Sequence, residues 1–424
     1  MIQAQYNASA LKTIEDVQLF LKGEGLYSGP IDGAFGPGTK EGMLNLANRA
    51  ESAYAGGQYS LAEEGFFQFL AASDPIGWGR DESLMLLIQN SLAAAINAQG
   101  RHAEAEEIYA SVLNAKERLL GRDDPDTLSS LNNLAAAIAA QSRYGEAEVL
   151  FRRALAAYEN VYGSERPETL VALTNLGNCL DDQGRYREAE RYHLRAVQTA
   201  DRIFGSDDPR TLTYLNNLAS TVNGLGRSDL AEKYYRQVLE GQESRLGQDH
   251  PYAIAALDNL AVAIAHQGRL LEAAALFRRA LDARGRALGA DHPETLRSLN
   301  NLANSLMEQG RYPEAEELFA KALDVKERVL GIGHPETLLT LDNLAHTQVL
   351  AGDIPSAIST GERGFSGLSE FFIREEGLVI SNPQANLPFD PRSWLWIAWK
   401  YRSQVRQAAT RSFEAQGWLT FGSL

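Results

Sequence analysis

Pro125, Pro167, Pro209, Pro251, Pro293 and Pro335 follow one another at a constant interval of 42 residues, and Gly121, Gly163, Gly205, Gly247, Gly289 and Gly331 keep the same interval just ahead of them. A fixed period of this length means that one supersecondary unit is copied in tandem. Such a unit cannot bury its apolar face alone, so the core forms between neighbouring copies and the architecture is a solenoid.

One copy, read from His292, is HPETLRSLNNLANSLMEQGRYPEAEELFAKALDVKERVLG. Leu296, Leu299, Leu302, Ala303 and Leu306 recur at helical spacing, as do Ala315, Leu318, Phe319, Ala322, Leu323 and Leu330 after the Gln309-Gly310-Arg311 interruption. Each unit therefore reads as a helical hairpin, and the fold class as all-α. The junction Asp291-His292-Pro293-Glu294 supplies a cap acceptor, a proline for the first helical position and an early acid for the helix dipole. Small residues recur where the two helices approach (Ala147, Ala189, Ala231, Ala273, Ala315, Ala357), with Phe151, Tyr235, Phe277 and Phe319 four positions on. His193 stands in the aromatic position of its copy and is expected to weaken the packing there.

The A-x3-F spacing and the LxxLNNLA…QGRYxEAExLF…AL pattern resemble tetratricopeptide repeats. The 42-residue period and LGxDHPxT junction are similar to the kinesin light chain variety. The resemblance covers residues 81–360 and implies a right-handed superhelical solenoid of hairpins. Residues 45–72, with Gly57-Gln58-Tyr59 at the turn, read as a shorter, degenerate copy.

Ahead of the repeats, helical segments at Val17 to Lys22 and Thr39 to Leu46 flank a glycine-rich stretch. There Asp32-Gly33 and Gly36-Pro37 are turn dipeptides, Thr39 is a cap candidate, and Ile31 and Phe35 are candidates for a small core. The pattern Val17, Gln18, Leu21, Leu26, Tyr27, Asp32, Gly33, Phe35, Gly36 and Thr39 resembles the peptidoglycan-binding domain-like module, although Gly42-Met43-Leu44-Asn45-Leu46 departs from its usual ending. Two readings follow: a wall anchor whose ligand is peptidoglycan, or a cap on the first apolar face of the solenoid. The expected organisation is an N-terminal tail (1–10), this module (11–47), a degenerate repeat and linker (48–80), tandem repeats (81–360) and a Trp-rich linker and helix (361–424).

In a stacked array the first helices line the concave face. The position after the core leucine of each first helix reads Asn90, Asn132, Thr174, Asn216, Asp258, Asn300 and Asp342. An amide offers a donor and an acceptor to the backbone of an extended peptide, and the kinesin light chain resemblance implies that role for this column. Asn178, Asn304 and Arg297, one turn away along the groove, are candidates for specificity, and Asp181 is a further charged side chain there. The next column, Ser91, Asn133, Asn175, Asn217, Asn259, Asn301 and Asn343, fits bonding between neighbouring helices as well as ligand contact.

The remaining signals are mostly exclusions. A formal charge of −15 disfavours nucleic acid. The single Cys179 cannot form an internal disulfide, and no segment has the length of a membrane span or reads as an export leader, so a cytoplasmic location is expected, or the envelope if an export signal lies upstream. His250, His292 and His334 recur with the repeat and cannot converge on one metal ion, so capping or loop packing is their expected role. GxxxxGK[ST], GxSxG and HExxH do not occur, and the acids of the second helices read as solvated faces. The expectation is a non-enzymatic scaffold without cofactor or metal, binding an extended peptide or a partner segment in the concave groove. The alternatives are a cell-wall-associated protein, or the sensor or scaffold portion of a larger bacterial effector.

Overall fold

The computed structural model describes residues 11, 13–32, 34, 36–73 and 82–364. The expected N-terminal tail, Gly33, Phe35 and most of the Trp-rich segment lie outside the described residues. All regular structure among the described residues is helical. The helices are α1 (Ile14–Gly23), α2 (Pro37–Ala55), α3 (Tyr59–Ser73), α4 (Glu82–Ala98), α5 (His102–Leu119), α6 (Pro125–Ala139), α7 (Tyr144–Tyr162) and α8 (Pro167–Asp182). Then come α9 (Tyr186–Phe204), α10 (Pro209–Gly224), α11 (Ser228–Leu246), α12 (Pro251–His266), α13 (Leu270–Leu288), α14 (Pro293–Glu308), α15 (Tyr312–Leu330) and α16 (Pro335–Ala351). Residues 354–364 are also helical.

The described chain forms two compact units, one through Cys179 and one from Leu180. In the first, each helix from α1 to α7 packs on the next, and α2, α4 and α6 touch in series. In the second, α9 to α16 pack consecutively, with contacts of α10 on α12 and α14 on α16. Even-numbered helices from α4 onward are the first helices of hairpins, so each unit is a run of stacked helical pairs.

The punctuation of the repeat explains these boundaries. Prolines open α6, α8, α10, α12, α14 and α16, where a missing N–H is harmless. Asp124 and Asp208 accept the backbone N–H two residues on, each at 2.9 Å. His250, His292 and His334 do the same through Nδ1, each at 3.2 Å, so their expected capping role is realised. Gly163, Gly205, Gly247, Gly289 and Gly331 end the second helices at φ between 86° and 92°, a region open to glycine alone at little cost. At the hairpin turns glycine recurs with positive φ, except that Ser142 takes this place in its copy at φ 62°.

Close approach follows from the alanine column: Ala147, Ala189, Ala231, Ala273 and Ala315 are fully buried, and Phe151, Tyr235, Phe277 and Phe319 fill the space beside them. Burial of each such ring contributes about 1.5–3 kcal/mol. His193 departs from the expected weak spot. Its imidazole is 1% exposed, and its Nε2 lies 3.2 Å from Asp181 Oδ2, which also accepts from Thr221 Oγ1 at 2.6 Å. Polar contacts replace the lost ring.

The acids of the second helices are engaged rather than merely solvated. Arg101 bridges Glu63 and Glu104, Arg143 bridges Glu106 and Glu146, and Arg269 bridges Glu232 and Glu272, at 2.5–2.8 Å. Gln99, Gln141 and Gln267 donate to the same Glu63, Glu106 and Glu232. Each bridge ties the turn of one hairpin to the second helix of the preceding one. Solvent screening leaves such bridges with little net contribution to stability.

The N-terminal helices differ in detail from expectation. Thr39 is not the cap of α2: Gly36 occupies that place without a side-chain bond, and Thr39 lies buried in the first turn. Ile31 is 44% exposed, so it contributes little to a core. The apolar contact instead comes from Val17, Leu21, Met43 and Leu46, all buried on α1 and α2. Helix α2 is continuous through residue 47, so it closes the N-terminal module and also opens the α2–α3 hairpin.

Candidate functional site

On α6 the exposed stripe runs through Asp126, Ser129 and Ala136 with Asn133 half-buried at its centre. On α8 it runs through Val171 and Asn178 around Asn175. The helical repeat of 3.6 residues places the second amide column in the middle of the solvent-facing stripe and the first column at its edge, against the neighbouring hairpin. Burial agrees with this. Asn132, Asp258 and Asn300 are 6%, 8% and 7% exposed, whereas Asn133, Asn175, Asn217, Asn259, Asn301 and Asn343 are all half-buried. In the first column Asn90, Asn216 and Asp342 are half-buried too.

One bond in each unit joins the two columns. Asn133 Nδ2 donates to Asn90 Oδ1 at 3.2 Å in the first unit, and Asn259 Nδ2 donates to Asn216 Oδ1 at 3.0 Å in the second. Each bond spans one repeat and sets the amide orientation of the second-column residue. Its Oδ1 and second N–H remain for another molecule.

A set of buried charges backs this surface in the second unit, and sequence patterns did not single it out. Arg284 on α13 is 3% exposed and donates to Asp258 Oδ2 at 2.5 Å and to Ser298 Oγ. Glu294 lies 3.9 Å from Arg284 Nε and pairs with Arg297 at 2.5 Å. One repeat later, Lys326 on α15 lies 3.4 Å from Glu336 Oε2 and donates to Thr340 Oγ1 at 3.3 Å. Asn300 Nδ2 donates to the same hydroxyl at 3.0 Å, and that hydroxyl donates to the Glu336 carbonyl. Burial pushes the Lys326 and Arg297 pKa values down, with Glu336 and Glu294 respectively opposing the shift.

Asp258, expected to face a ligand, is thus held from behind by Arg284, while Asn300, expected to do the same, shares the Thr340 hydroxyl with Lys326. Arg284 and Lys326 stand 26 residues after Asp258 and Asn300 respectively, on the next helix. Their legible signal is a charged residue at one fixed repeat position within an apolar stripe: Lys116, Arg284 and Lys326, with Tyr158 and Gln242 in other copies. Lys116 is also buried and donates to the Asp126 carbonyl at 3.2 Å. Among the other expected specificity residues, Asn178 is exposed, Asn304 half-buried and Arg297 paired with Glu294.

At the N-terminus the described residues of the second motif hold one another. Gln18 Nε2 donates to Asp32 Oδ1 at 2.8 Å, to the Ala34 carbonyl at 3.0 Å and to Thr39 Oγ1 at 3.2 Å, while Gln18 Oε1 accepts from the Asp32 N–H at 3.0 Å. The Gln18 bond, followed by the Ala34 N–H, holds the Asp32 carboxyl below its ordinary range. Gly36 is the α2 cap residue. Among the described residues no group of three or more His, Cys, Asp and Glu is placed to hold a metal ion, and no helix is long and apolar enough to cross a membrane.

No curated protein sequence matches this chain. Among solved structures, the chain is similar to the kinesin light chain TPR-like repeats of Podosopora anserina (25% identity, covering 48% of this chain and 97% of that one, TM-score 0.43). It is also similar to BtubC (BKLC) from P. vanneervenii (18% identity, 59% and 96% covered, TM-score 0.46). The apo form of the quorum sensor NprR from B. thuringiensis shares 14% identity over 82% of this chain and 92% of that one, with a TM-score of 0.55, which is a likeness of fold. The tetratricopeptide repeat profile matches residues 84–160, 126–200, 169–244, 252–306 and 294–369. These overlapping matches cover more than half of the residues, and the chain belongs to the tetratricopeptide repeat family.

Proposed function

We propose that this protein is a protein–protein interaction scaffold that holds an extended segment of a partner against the exposed stripe of its first helices. The observation that carries this reading is the bonded pair of amide columns. A half-buried asparagine recurs at the centre of that stripe in six consecutive copies, and in one copy of each unit, at Asn133 and Asn259, it is oriented by a bond to the preceding repeat. Amides fixed in this way suit the alternating N–H and C=O groups of a peptide backbone and discriminate little between sequences. Asn133, Asn175, Asn217, Asn259, Asn301 and Asn343 make the contact, Asn90 and Asn216 orient Asn133 and Asn259, and Asn132, Asp258, Asn300 and Asp342 flank them. Specificity then falls to the flanking residues that vary, Val171, Asn178, Arg297 and Asn304 among them.

The test is partner capture from extract by the wild type and by Asn133→Ala/Asn217→Ala/Asn301→Ala, with helicity checked by circular dichroism. Three lost hydrogen bonds of about 1 kcal/mol each weaken a captured partner about a hundredfold. Equal capture by both proteins would remove the amide surface from the mechanism.

For the N-terminal helices the internal use of Asp32 and Thr39 by Gln18 favours a cap on the hairpin stack over a wall anchor, because the polar groups of the motif are spent on its own fold. A sedimentation assay with purified peptidoglycan separates the two readings: the cap leaves the protein in the supernatant, and the anchor carries it into the pellet.

A further inference from the structure

Helices α12, α14 and α16 begin on imidazoles. His250, His292 and His334 accept the Tyr252, Glu294 and Glu336 N–H groups at Nδ1, each at 3.2 Å, so the ring proton sits on Nε2. The equivalent places of α6 and α10 hold Asp124 and Asp208. The two kinds of cap answer differently to acid. A second proton turns Nδ1 into a donor facing another donor and puts a positive charge at the positive end of the helix dipole, two effects of the same sign. A carboxylate keeps its acceptor oxygens through the whole imidazole range near pH 6.5. Asp208 keeps them furthest, since hydrogen bonds from the Arg210 side chain and N–H hold its pKa down to about 2.

The charged groups around the imidazoles are largely paired already. Asp249, beside His250, is bonded to Arg286 of α13 at 2.6 Å, and Asp291, beside His292, to Arg328 of α15 at 3.1 Å. Glu294, two residues after His292, is paired with Arg297. Around His334 stand Glu336 on its own helix and Lys326 on α15. Burial lowers the His334 pKa, with Glu336 opposing and Lys326 reinforcing the shift. The unfolded chain therefore takes this proton at a higher pH than the folded one. The stability from the neutral ring is complete above the ordinary imidazole range and is lost as pH falls toward the folded value.

We propose that acid releases the first turn of α16 while leaving that of α10 in place, which makes the first helix that bears Asp342 a pH-responsive element of the array. The device acts on the folded chain alone and requires no ligand.

Hydrogen exchange, corrected for the intrinsic pH dependence of amide exchange, reads it directly. Between pH 7.5 and pH 5.0 the first-turn amides of α16 are expected to lose about fivefold in protection, while those of α10 hold theirs. In His334→Asp the drop disappears. His334→Asn carries the same test if the Asp variant folds poorly, because an amide caps at either pH. Equal loss of protection at α10, or a drop that persists in the Asp or Asn variant, overturns the proposal.

Discussion

Replacing Arg284 by methionine removes the cation from a pair that is almost dry, with side-chain exposures of 3% for Arg284 and 11% for Asp258. The methionine fills much of the same volume, so the dominant effect is an Asp258 carboxylate left without its partner among buried groups. Breaking a buried pair from one side costs about 3–5 kcal/mol, and the bond from Arg284 to Ser298 is lost as well. Removing both charges, in Asp258→Leu/Arg284→Met, leaves no orphan charge and is expected to return to within ~1 kcal/mol of the wild type or to exceed it. A stack of repeats does not unfold as one cooperative unit, so the readout is native-state hydrogen exchange at α12, α13 and α14 rather than a single melting curve. The double-mutant cycle should show a coupling of several kcal/mol between the two sites. A single substitution costing less than about 1 kcal/mol, or a double mutant as unstable as the sum of the singles, would refute the view that Asp258 is held from behind by a buried cation.

Three further outcomes follow from local geometry. Ser142→Gly relieves a left-handed conformation in a residue with a β-carbon and is expected to stabilise the α6–α7 hairpin by about 1 kcal/mol, read as increased protection of its turn amides. Gly241→Ala places a β-carbon 2.4 Å from Leu212 Cδ1, an overpacking that should destabilise the α10–α11 hairpin by about 1–3 kcal/mol, read by native-state hydrogen exchange. Gln18→Leu strips Asp32 and Thr39 of their shared donor. Proteolysis should then nick residues 24–36 faster while α4 to α7 keep their exchange protection.

The helical hairpins, their caps and their terminators were legible because each is a local rule repeated every 42 residues: proline at the first turn, Asp or His before it in every copy but the one with Arg166, glycine where φ turns positive. Repetition also exposed the two amide columns, but not which of them faces solvent. Adjacent residues differ by about 100° around a helix, and the choice depends on how the neighbouring hairpin leans, which no single helix encodes. The pairs Asp258–Arg284 and Lys326–Glu336 escaped for a related reason. Their members sit on different helices, Asp258 and Arg284 within one hairpin and Lys326 and Glu336 in successive ones, and the charges at residues 284 and 326 interrupt an apolar stripe that otherwise looks like plain core. His193 shows the converse case. Its departure from the aromatic column was visible, whereas the compensating Asp181 and Thr221 come from the helices on either side of α9. At the N-terminus the motif was readable as a pattern, yet the role of Thr39 changed, because Gln18 reaches it inside the first turn of α2.

The most direct test of the central claim is a hydrogen-exchange footprint of a captured partner on the intact chain, compared between the wild type and the Asn133→Ala/Asn217→Ala/Asn301→Ala variant. The account predicts added protection along the first helices α6, α8, α10, α12 and α14 and its loss in the variant. Protection confined to the second helices α7, α9, α11 and α13, and unchanged in the variant, would contradict it.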